Sequence, residues 1–240
     1  PGEHFYSKPI LIFWMEAATI KAIGLSETAI RFPVALIAII AMFSVYYCFS
    51  KLLGRPRGFL AAIVLATCPT FFFLARQSQT DMPFVGTLTV AMSFFCLAAM
   101  GPRERTSDRR MWGVLVATLA VVLDTFLPQL GIIIADINHD VPVGPNGTAS
   151  FAAQWKNTGW MQAATYLIVM AVVLLSIITP VIRHVRENNG FTDAFKDQLR
   201  RRCYLWIFYT FCALSLMGKG LLGFMLPGAV LFIYLALTNE

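Results

Sequence analysis

Residues 33–50, PVALIAIIAMFSVYYCFS, carry no charged side chain. A helix needs about 20 mostly apolar residues, with tolerance on either side, to cross a hydrocarbon core roughly 30 Å thick. Runs of this kind occur seven times along the chain, near 33–50, 58–75, 84–100, 111–135, 161–182, 203–218 and 221–238. The sequence therefore predicts an all-α, polytopic transmembrane helix bundle of about seven spans.

Composition supports the same class. Hydrophobic residues make up 58% of the chain and charged residues 13%, with a mean hydropathy of +0.67, whereas soluble proteins are roughly half apolar and a quarter charged. We expect a single transmembrane domain over 1–240, made of an external loop with an interfacial helix (1–32), spans one to three (33–110), an extra hairpin (111–182) and the last two spans (203–240). Because the chain opens inside a loop, we expect a fragment of a longer protein without a soluble module.

The basic residues predict which loops face the cytoplasm. Strict alternation of seven spans places the loops near 51–57, 101–110 and 183–202 on one side, and these loops hold 13 of the 19 Lys and Arg. The positive-inside rule makes this side cytoplasmic, so the beginning of the chain faces out. The net charge of +6 arises mainly beside the spans, where anionic lipid headgroups account for it, and it does not indicate nucleic-acid binding.

Cysteine usage gives no sign of a disulfide framework or a thiolate zinc site. The five cysteines lie in or at the edges of predicted spans, without Cys-x-x-Cys spacing and with none in an outer loop: Cys48, Cys68, Cys96, Cys203 and Cys212.

The predicted outer face begins with Tyr6-Ser7-Lys8-Pro9, which leads into an apolar stretch. Residues 10–24 are broken by Glu16 and Lys21 and stop at Gly24, too short for a span and typical of a helix lying in the interface.

The next predicted helix begins at Ser26, a residue type suited to an N-cap. Glu27 and Arg31 follow four residues apart on one helical face. We interpret this pair as a structural ion pair that fixes the start of the first span, in preference to a direct chemical role.

Two further outer elements carry charge. The turn from Ala75 to Pro83 contains Arg76 and Asp81, and the proline suits the first turn of the next helix. Asp81 can serve either as a helix cap or as a functional carboxylate. In Met217-Gly218-Lys219-Gly220, the flanking glycines give a mobile ammonium suited to a phosphate oxygen, and the alternative is a lysine that reaches the lipid headgroups.

These three elements resemble a known family in order and position. Tyr6-Ser7-Lys8-Pro9 resembles the Tyr-x-Lys-Pro-Pro element in the first external loop of the lipid-linked-sugar glycosyltransferases of the GT-C type, with Ile10 in place of the second proline. That family includes the protein O-mannosyltransferases and the aminoarabinose transferase of lipid A. Asp81-Met82-Pro83 resembles its second-loop pattern. Lys219-Gly220 resembles its Lys-Gly-Pro turn, with Leu221 in place of the proline.

The resemblance covers most of residues 3–100 and 203–238, whereas the hairpin between those blocks departs from the expected pattern. It implies transfer of a hexose or pentose from a polyprenyl-phosphate donor to a hydroxyl of a protein or a lipid, at the periplasmic or extracellular face of a bacterial inner membrane. It implies contacts to the donor phosphate or sugar from four side chains: Tyr6, Lys8, Arg76 and Lys219.

The resemblance also assigns the chemistry. The lipid phosphate is the leaving group, so Lys8 and Lys219, or a divalent metal ion, must neutralise its growing charge. Asp81 is expected to orient the acceptor or the metal. The family's general base lies upstream of the Tyr-x-Lys element, so we expect this fragment to lack the first span and the first acidic motif, and to be inactive alone.

The predicted hairpin has polar residues that support other interpretations. Asp124 lies about 18 Å along a helix from Trp112, near mid-bilayer, where a carboxylate indicates an ion or proton site or a structural pair. A secondary transporter using Asp124, or a non-catalytic membrane scaffold, are therefore the alternatives to an enzyme. Asp136, His139 and Asp140 are weak candidate metal ligands that are more typical of a capped helix end.

Overall fold

The computed structural model describes the backbone of residues 10–103, 106–138, 151–188 and 190–238, and the side chains of these residues except 128, 129, 131–138 and 151–163. Regular structure in these ranges is entirely helical, as predicted. The helices, in chain order, are α1 Leu11–Ile23, α2 Glu27–Leu53, α3 Arg55–Thr67, α4 Pro69–Leu74, α5 Asp81–Met100, α6 Asp108–Asn138, α7 Phe151–Asn188, α8 Asp193–Lys219 and α9 Leu222–Thr238.

Among the residues described, four segments are long and apolar enough to cross a membrane: Glu27–Leu53, Asp81–Met100, Asp108–Leu127 and Ala164–Asn188. Helix α9 is apolar but shorter, with 17 residues. The structure therefore agrees with a helical membrane bundle, with fewer full-length apolar helices than the seven spans predicted. Helix α8 contains the predicted run 203–218 but begins in a charged segment at Asp193.

The run 58–75, predicted as one span, is divided between α3 and α4. Cys68 between them has an extended backbone (φ −61°, ψ 119°). A proline disfavours the helical conformation of the residue before it, so Pro69 explains the break. Hydropathy alone did not detect this interruption.

The chain divides into two compact units. The first contains residues 1–105 and 200–240, and the second contains residues 106–199. Helices α6 and α7 and the beginning of α8 make up the second unit, where the Tyr166 hydroxyl donates to the Phe126 carbonyl at 3.0 Å and Trp112 packs edge-on against Phe191. The predicted hairpin 111–182 corresponds to α6 and α7.

In the first unit, α2 and α5 run parallel. Ile37 lies against Gly86, the Ser44 hydroxyl is 3.4 Å from that of Ser93, and Cys48 packs with Leu97. The beginnings of α2 and α5 therefore lie at the same end of the unit. We call it the Asp81 end.

Helix α8 runs antiparallel to α5 in the first unit. Arg201, at the beginning of the part of α8 that belongs to this unit, donates to the carbonyls of Ala98 and Gly101 at 2.7 and 2.8 Å, so it caps the end of α5. Further along, Tyr204 packs on Phe94 and Phe208 on Phe95. At a rise of about 1.5 Å per residue, the two helices lie side by side over roughly 30 Å, so the end of α8 reaches the Asp81 end.

Candidate functional site

An ion pair joins the two charged residues at the Asp81 end of α5 and α8. The Lys219 Nζ is 2.5 Å from the Asp81 Oδ1, and the two side chains are 43% and 36% exposed. Asp81 is the first residue of α5 and Lys219 the last residue of α8. A carboxylate at a helix N-terminus and an ammonium at a C-terminus each favour the helix dipole. Thr80 holds the N-cap position, so the Asp81 side chain is directed to Lys219 and does not serve as the cap.

The two glycines that flank Lys219 explain why this residue lies beside Asp81. Gly218 lies so close to α5 that a Cβ on it would be 3.0 Å from the Phe84 backbone nitrogen and 3.1 Å from its Cα. Gly220 has φ +66° and donates its N–H to the Leu216 carbonyl at 2.7 Å, which ends α8. This left-handed conformation favours glycine. The glycines thus set a close approach and a helix end, in addition to the mobility inferred from the sequence.

At the start of α2, the structure contains an N-cap and an ion pair. The Ser26 hydroxyl accepts a hydrogen bond from the Ala29 N–H at 3.1 Å, as an N-cap does. Glu27 and Arg31 form an ion pair with a separation of 2.6 Å. Both side chains are more than half exposed, so the pair contributes about 1 kcal/mol or less to stability.

A cavity of about 570 Å³ opens beside this ion pair, between the start of α2 and the segment that follows α4. Its lining residues are Glu27, Ile30, Arg31, Phe73, Arg76, Gln77, Ser78 and Gln79. An adjoining cavity of about 550 Å³ is lined in part by the same Glu27, Arg31 and Arg76. The Arg76 guanidinium also lies over the Phe72 ring, 4.7 Å from its centroid.

Helix α1 forms where the interfacial helix was predicted, and it is tied to both segments that line the cavity. Glu16 accepts a hydrogen bond from the Ser78 hydroxyl. Thr19 donates to the Ala29 carbonyl at 2.6 Å. From the sequence, Glu16 was interpreted only as a charged residue that interrupts an apolar run. The signal that could have identified it was a carboxylate within the otherwise apolar first half of α1.

The other predicted site residues lie outside the described side chains or in the second unit. Tyr6, Lys8, His139 and Asp140 lie outside the described residues, and only the backbone of Asp136 is described, within α6. Asp124 lies on α6 with an exposed side chain. Within the part of the chain whose side chains are described, no three His, Cys, Asp or Glu residues come together as metal ligands, so the divalent ion stays an expectation.

Comparison with known proteins identifies a family. The family model described as dolichyl-phosphate-mannose-protein mannosyltransferase matches residues 7–184. This range runs through the hairpin that was expected to depart from the family pattern, so that expectation is not supported, and it ends before Lys219. No curated protein and no solved structure matched the chain.

Proposed function

Because the chain belongs to the dolichyl-phosphate-mannose-protein mannosyltransferase family and is therefore a membrane glycosyltransferase of the GT-C type, we propose that it transfers a sugar from a polyprenyl-phosphate donor to an acceptor hydroxyl of a protein or a lipid. The observation that carries this proposal is the Asp81–Lys219 pair. It places a carboxylate and an ammonium at one helical end, beside a segment that lines an open cavity with Arg76.

The transfer exchanges one bond to the sugar for another. The acceptor oxygen forms a bond to the anomeric carbon as the bond from that carbon to the phosphate oxygen breaks. The electron pair of the broken bond stays on the phosphate, and the acceptor proton goes to a carboxylate. Stabilisation is therefore needed most at the phosphate, where negative charge grows in the transition state.

The site residues divide between these two needs. We propose that Lys8 neutralises the leaving phosphate, with Tyr6 and Arg76 contacting the donor, and that Asp81 orients the acceptor. In the structure, the Lys219 ammonium contacts the Asp81 carboxylate. A phosphate that attracts the Lys219 ammonium would loosen this contact, which would couple donor binding to the availability of Asp81.

The protein is an integral membrane protein by its family and its apolar helices. We further propose a bacterial inner membrane, with the Asp81 end at the periplasmic or extracellular face, because the loops on the opposite side carry most of the Lys and Arg. A donor whose polyprenyl chain lies in the bilayer would then present its phosphate at this end.

Substitution of Lys8 by Met in the full-length protein tests the proposal. If Lys8 stabilises charge that develops only as the glycosidic bond breaks, kcat should fall on the order of a hundredfold, equivalent to about 3 to 4 kcal/mol. Sugar transfer from a radiolabelled polyprenyl-phosphate mannose to acceptor is the measurement. Asp124→Asn, far from these elements in sequence, should leave transfer nearly intact.

Two outcomes would overturn the proposal. One is a well-folded Lys8→Met protein that transfers sugar at the normal rate. The other is a solute flux that depends strictly on Asp124, since a transporter uses its intramembrane carboxylate directly.

A further inference from the structure

The two cavities at the Asp81 end have the same three charged residues in their linings. Glu27 and Arg31 come from the first turns of α2, and Arg76 follows α4. With volumes of about 570 and 550 Å³, each cavity is of the size that binds small molecules in proteins. Because each charged residue contributes to both cavities, the three form one cluster between them.

This cluster has an excess of positive charge. Among the residues whose side chains the structure describes, the charged lining of the two cavities consists of the Arg31 and Arg76 guanidinium groups and the Glu27 carboxylate. Arg31 is paired with Glu27 at 2.6 Å. The contact of Arg76 that the structure shows is to the face of an aromatic ring, Phe72, which leaves guanidinium N–H groups at its edge for another acceptor. Guanidinium groups match the geometry of phosphate oxygens, to which they donate two hydrogen bonds at once.

Apolar side chains surround the charged cluster. Phe73 lines the first cavity and is 62% exposed, and Phe32 lines the second and is 50% exposed. A free phosphate gains nothing from apolar side chains at its binding site. A lipid phosphate carries a hydrocarbon chain next to its charged group, and that chain is stabilised by apolar contacts. The combination therefore favours a lipid phosphate over inorganic phosphate.

We propose that Arg31 and Arg76 together bind the phosphate of a polyprenyl-phosphate lipid, with Glu27 as an internal counter-ion that the phosphate displaces from Arg31. This inference rests on the proposed function for the identity of the lipid. It changes the interpretation of Arg31, which the sequence assigned only to a structural ion pair. Displacement is favourable because an exposed ion pair is weak, whereas a guanidinium bound to phosphate forms strong charge-assisted hydrogen bonds.

A binding experiment on the full-length protein in detergent tests this inference. The probe is farnesyl phosphate, a short polyprenyl phosphate, with farnesol and inorganic phosphate as comparison ligands. Arg31→Gln and Arg76→Gln should each raise the Kd for farnesyl phosphate on the order of tenfold, as the loss of a hydrogen bond to a charged group does. Inorganic phosphate should bind much more weakly than farnesyl phosphate, and the affinity for farnesol should not change in the variants.

Glu27→Gln gives the most decisive result, because it is expected to change the Kd for farnesyl phosphate in the opposite direction to the two arginine variants. Removing the competing carboxylate should lower the Kd for farnesyl phosphate several-fold, whereas loss of a merely structural pair would raise the Kd in both the Glu27 and the Arg31 variants. Lys21→Gln is the matched control: it removes another cation from the same segment of the chain, one that lines neither cavity, and should leave the Kd unchanged. If Arg31→Gln fails to fold, the Kd values of Glu27→Gln and Arg76→Gln still test whether the cluster binds the lipid phosphate.

The outcomes separate this inference from the proposed function. Weaker probe binding in Glu27→Gln, or unchanged binding in the Arg31 and Arg76 variants of an enzyme that still transfers sugar, overturns the phosphate site and leaves the function standing. Equal binding of inorganic phosphate overturns the lipid assignment. The expected Kd changes in a protein that transfers no sugar from any polyprenyl-phosphate donor would retain the phosphate site and remove the function.

Discussion

In each unit of this protein, a lysine–aspartate contact joins two helices, and the two distances are nearly the same. Lys219 is 2.5 Å from Asp81 in the first unit, and Lys196 is 2.6 Å from Asp108 in the second. Lys219 is 43% exposed, whereas Lys196 is 11% exposed and has a second carboxylate, Asp193, at 3.4 Å. Solvent access and the number of partners, more than distance, decide which ammonium a ligand can reach.

The surroundings of the two lysines point the same way. Lys196 joins the beginning of α8 to the beginning of α6, near a stacked His184–Phe195 pair that also closes the turn between α7 and α8. Lys219 ends α8 beside the first turn of α5, next to the segment that lines the cavity with Arg76. We therefore interpret the Lys196–Asp108 contact as structural and the Lys219–Asp81 contact as part of the site.

The largest expected effect that tests this comparison is on activity. If Asp81 orients the acceptor as proposed, Asp81→Asn in the full-length protein should lower kcat on the order of a hundredfold, because an amide cannot replace the carboxylate. Asp193→Asn should leave kcat close to the original value, since Lys196 keeps Asp108. Initial rates at saturating donor measure the difference. Equal losses in both variants would show that the two contacts have the same, structural role.

A smaller effect is expected from Gly218→Ala. The new Cβ would press on the Phe84 backbone, which cannot turn aside as a side chain can, so α8 must move away from α5. We expect a loss of about 1 to 3 kcal/mol in the free energy of unfolding, typical of overpacking, with a raised KM for the donor.

Gly113→Ala is the control for Gly218→Ala, because a Cβ at Gly113 on α6 meets nothing within 4 Å. Replacing this helical glycine should stabilise the protein by about 0.5 to 1 kcal/mol. Unfolding by SDS titration in mixed micelles measures both variants. An unchanged stability in Gly218→Ala would mean that close contact at Gly218 does not hold the Asp81–Lys219 pair in place.

The smallest expected effect concerns pH and Lys196. Hydrogen bonds to Asp108 first, and then to Asp193, raise the pKa of Lys196 above its ordinary value of 10.5. A raised lysine pKa gives stabilisation that is fully present below the ordinary value and is lost as the pH rises through the raised value. The unfolding temperature of the unsubstituted protein should therefore fall more steeply above pH 10.5 than that of Lys196→Met.

Lys21→Met is the control for general alkaline effects in this pH measurement, because it removes an exposed lysine from α1, in the other unit. Parallel profiles for Lys196→Met and the unsubstituted protein would show that the Lys196 contacts contribute nothing to stability.

Predictions from the sequence succeeded where the interacting residues are neighbours in the chain. The Ser26 cap, the Glu27–Arg31 pair and the end of α1 at Gly24 each involve residues within about one helical turn. Helical periodicity fixes such contacts without knowledge of the rest of the fold. The break before Pro69 is also local, and it was missed because hydropathy counts apolar residues and ignores the conformation that a proline imposes.

Contacts between distant residues were not predictable in this way. Whole helices separate Glu16 from Ser78 and Arg31 from Arg76 in the chain. Nothing in the sequence indicates that the first two residues form a hydrogen bond, or that the two arginines line the same cavity. The sequence suggested that Asp81 and Lys219 share a face, from the positions of the predicted spans. It did not indicate their direct contact.

The amino-acid sequence by itself determined that the chain is helical and apolar, where α1, α2 and α5 begin, and which charged residues stand at helix ends. Only the tertiary structure decided the register of the antiparallel helices α5 and α8, which pairs Arg201 with the end of α5 and Lys219 with Asp81. The physical reason is that apolar faces can slide past each other at little cost, whereas this register is fixed by specific contacts: the Phe94–Tyr204 and Phe95–Phe208 rings and the close approach at Gly218.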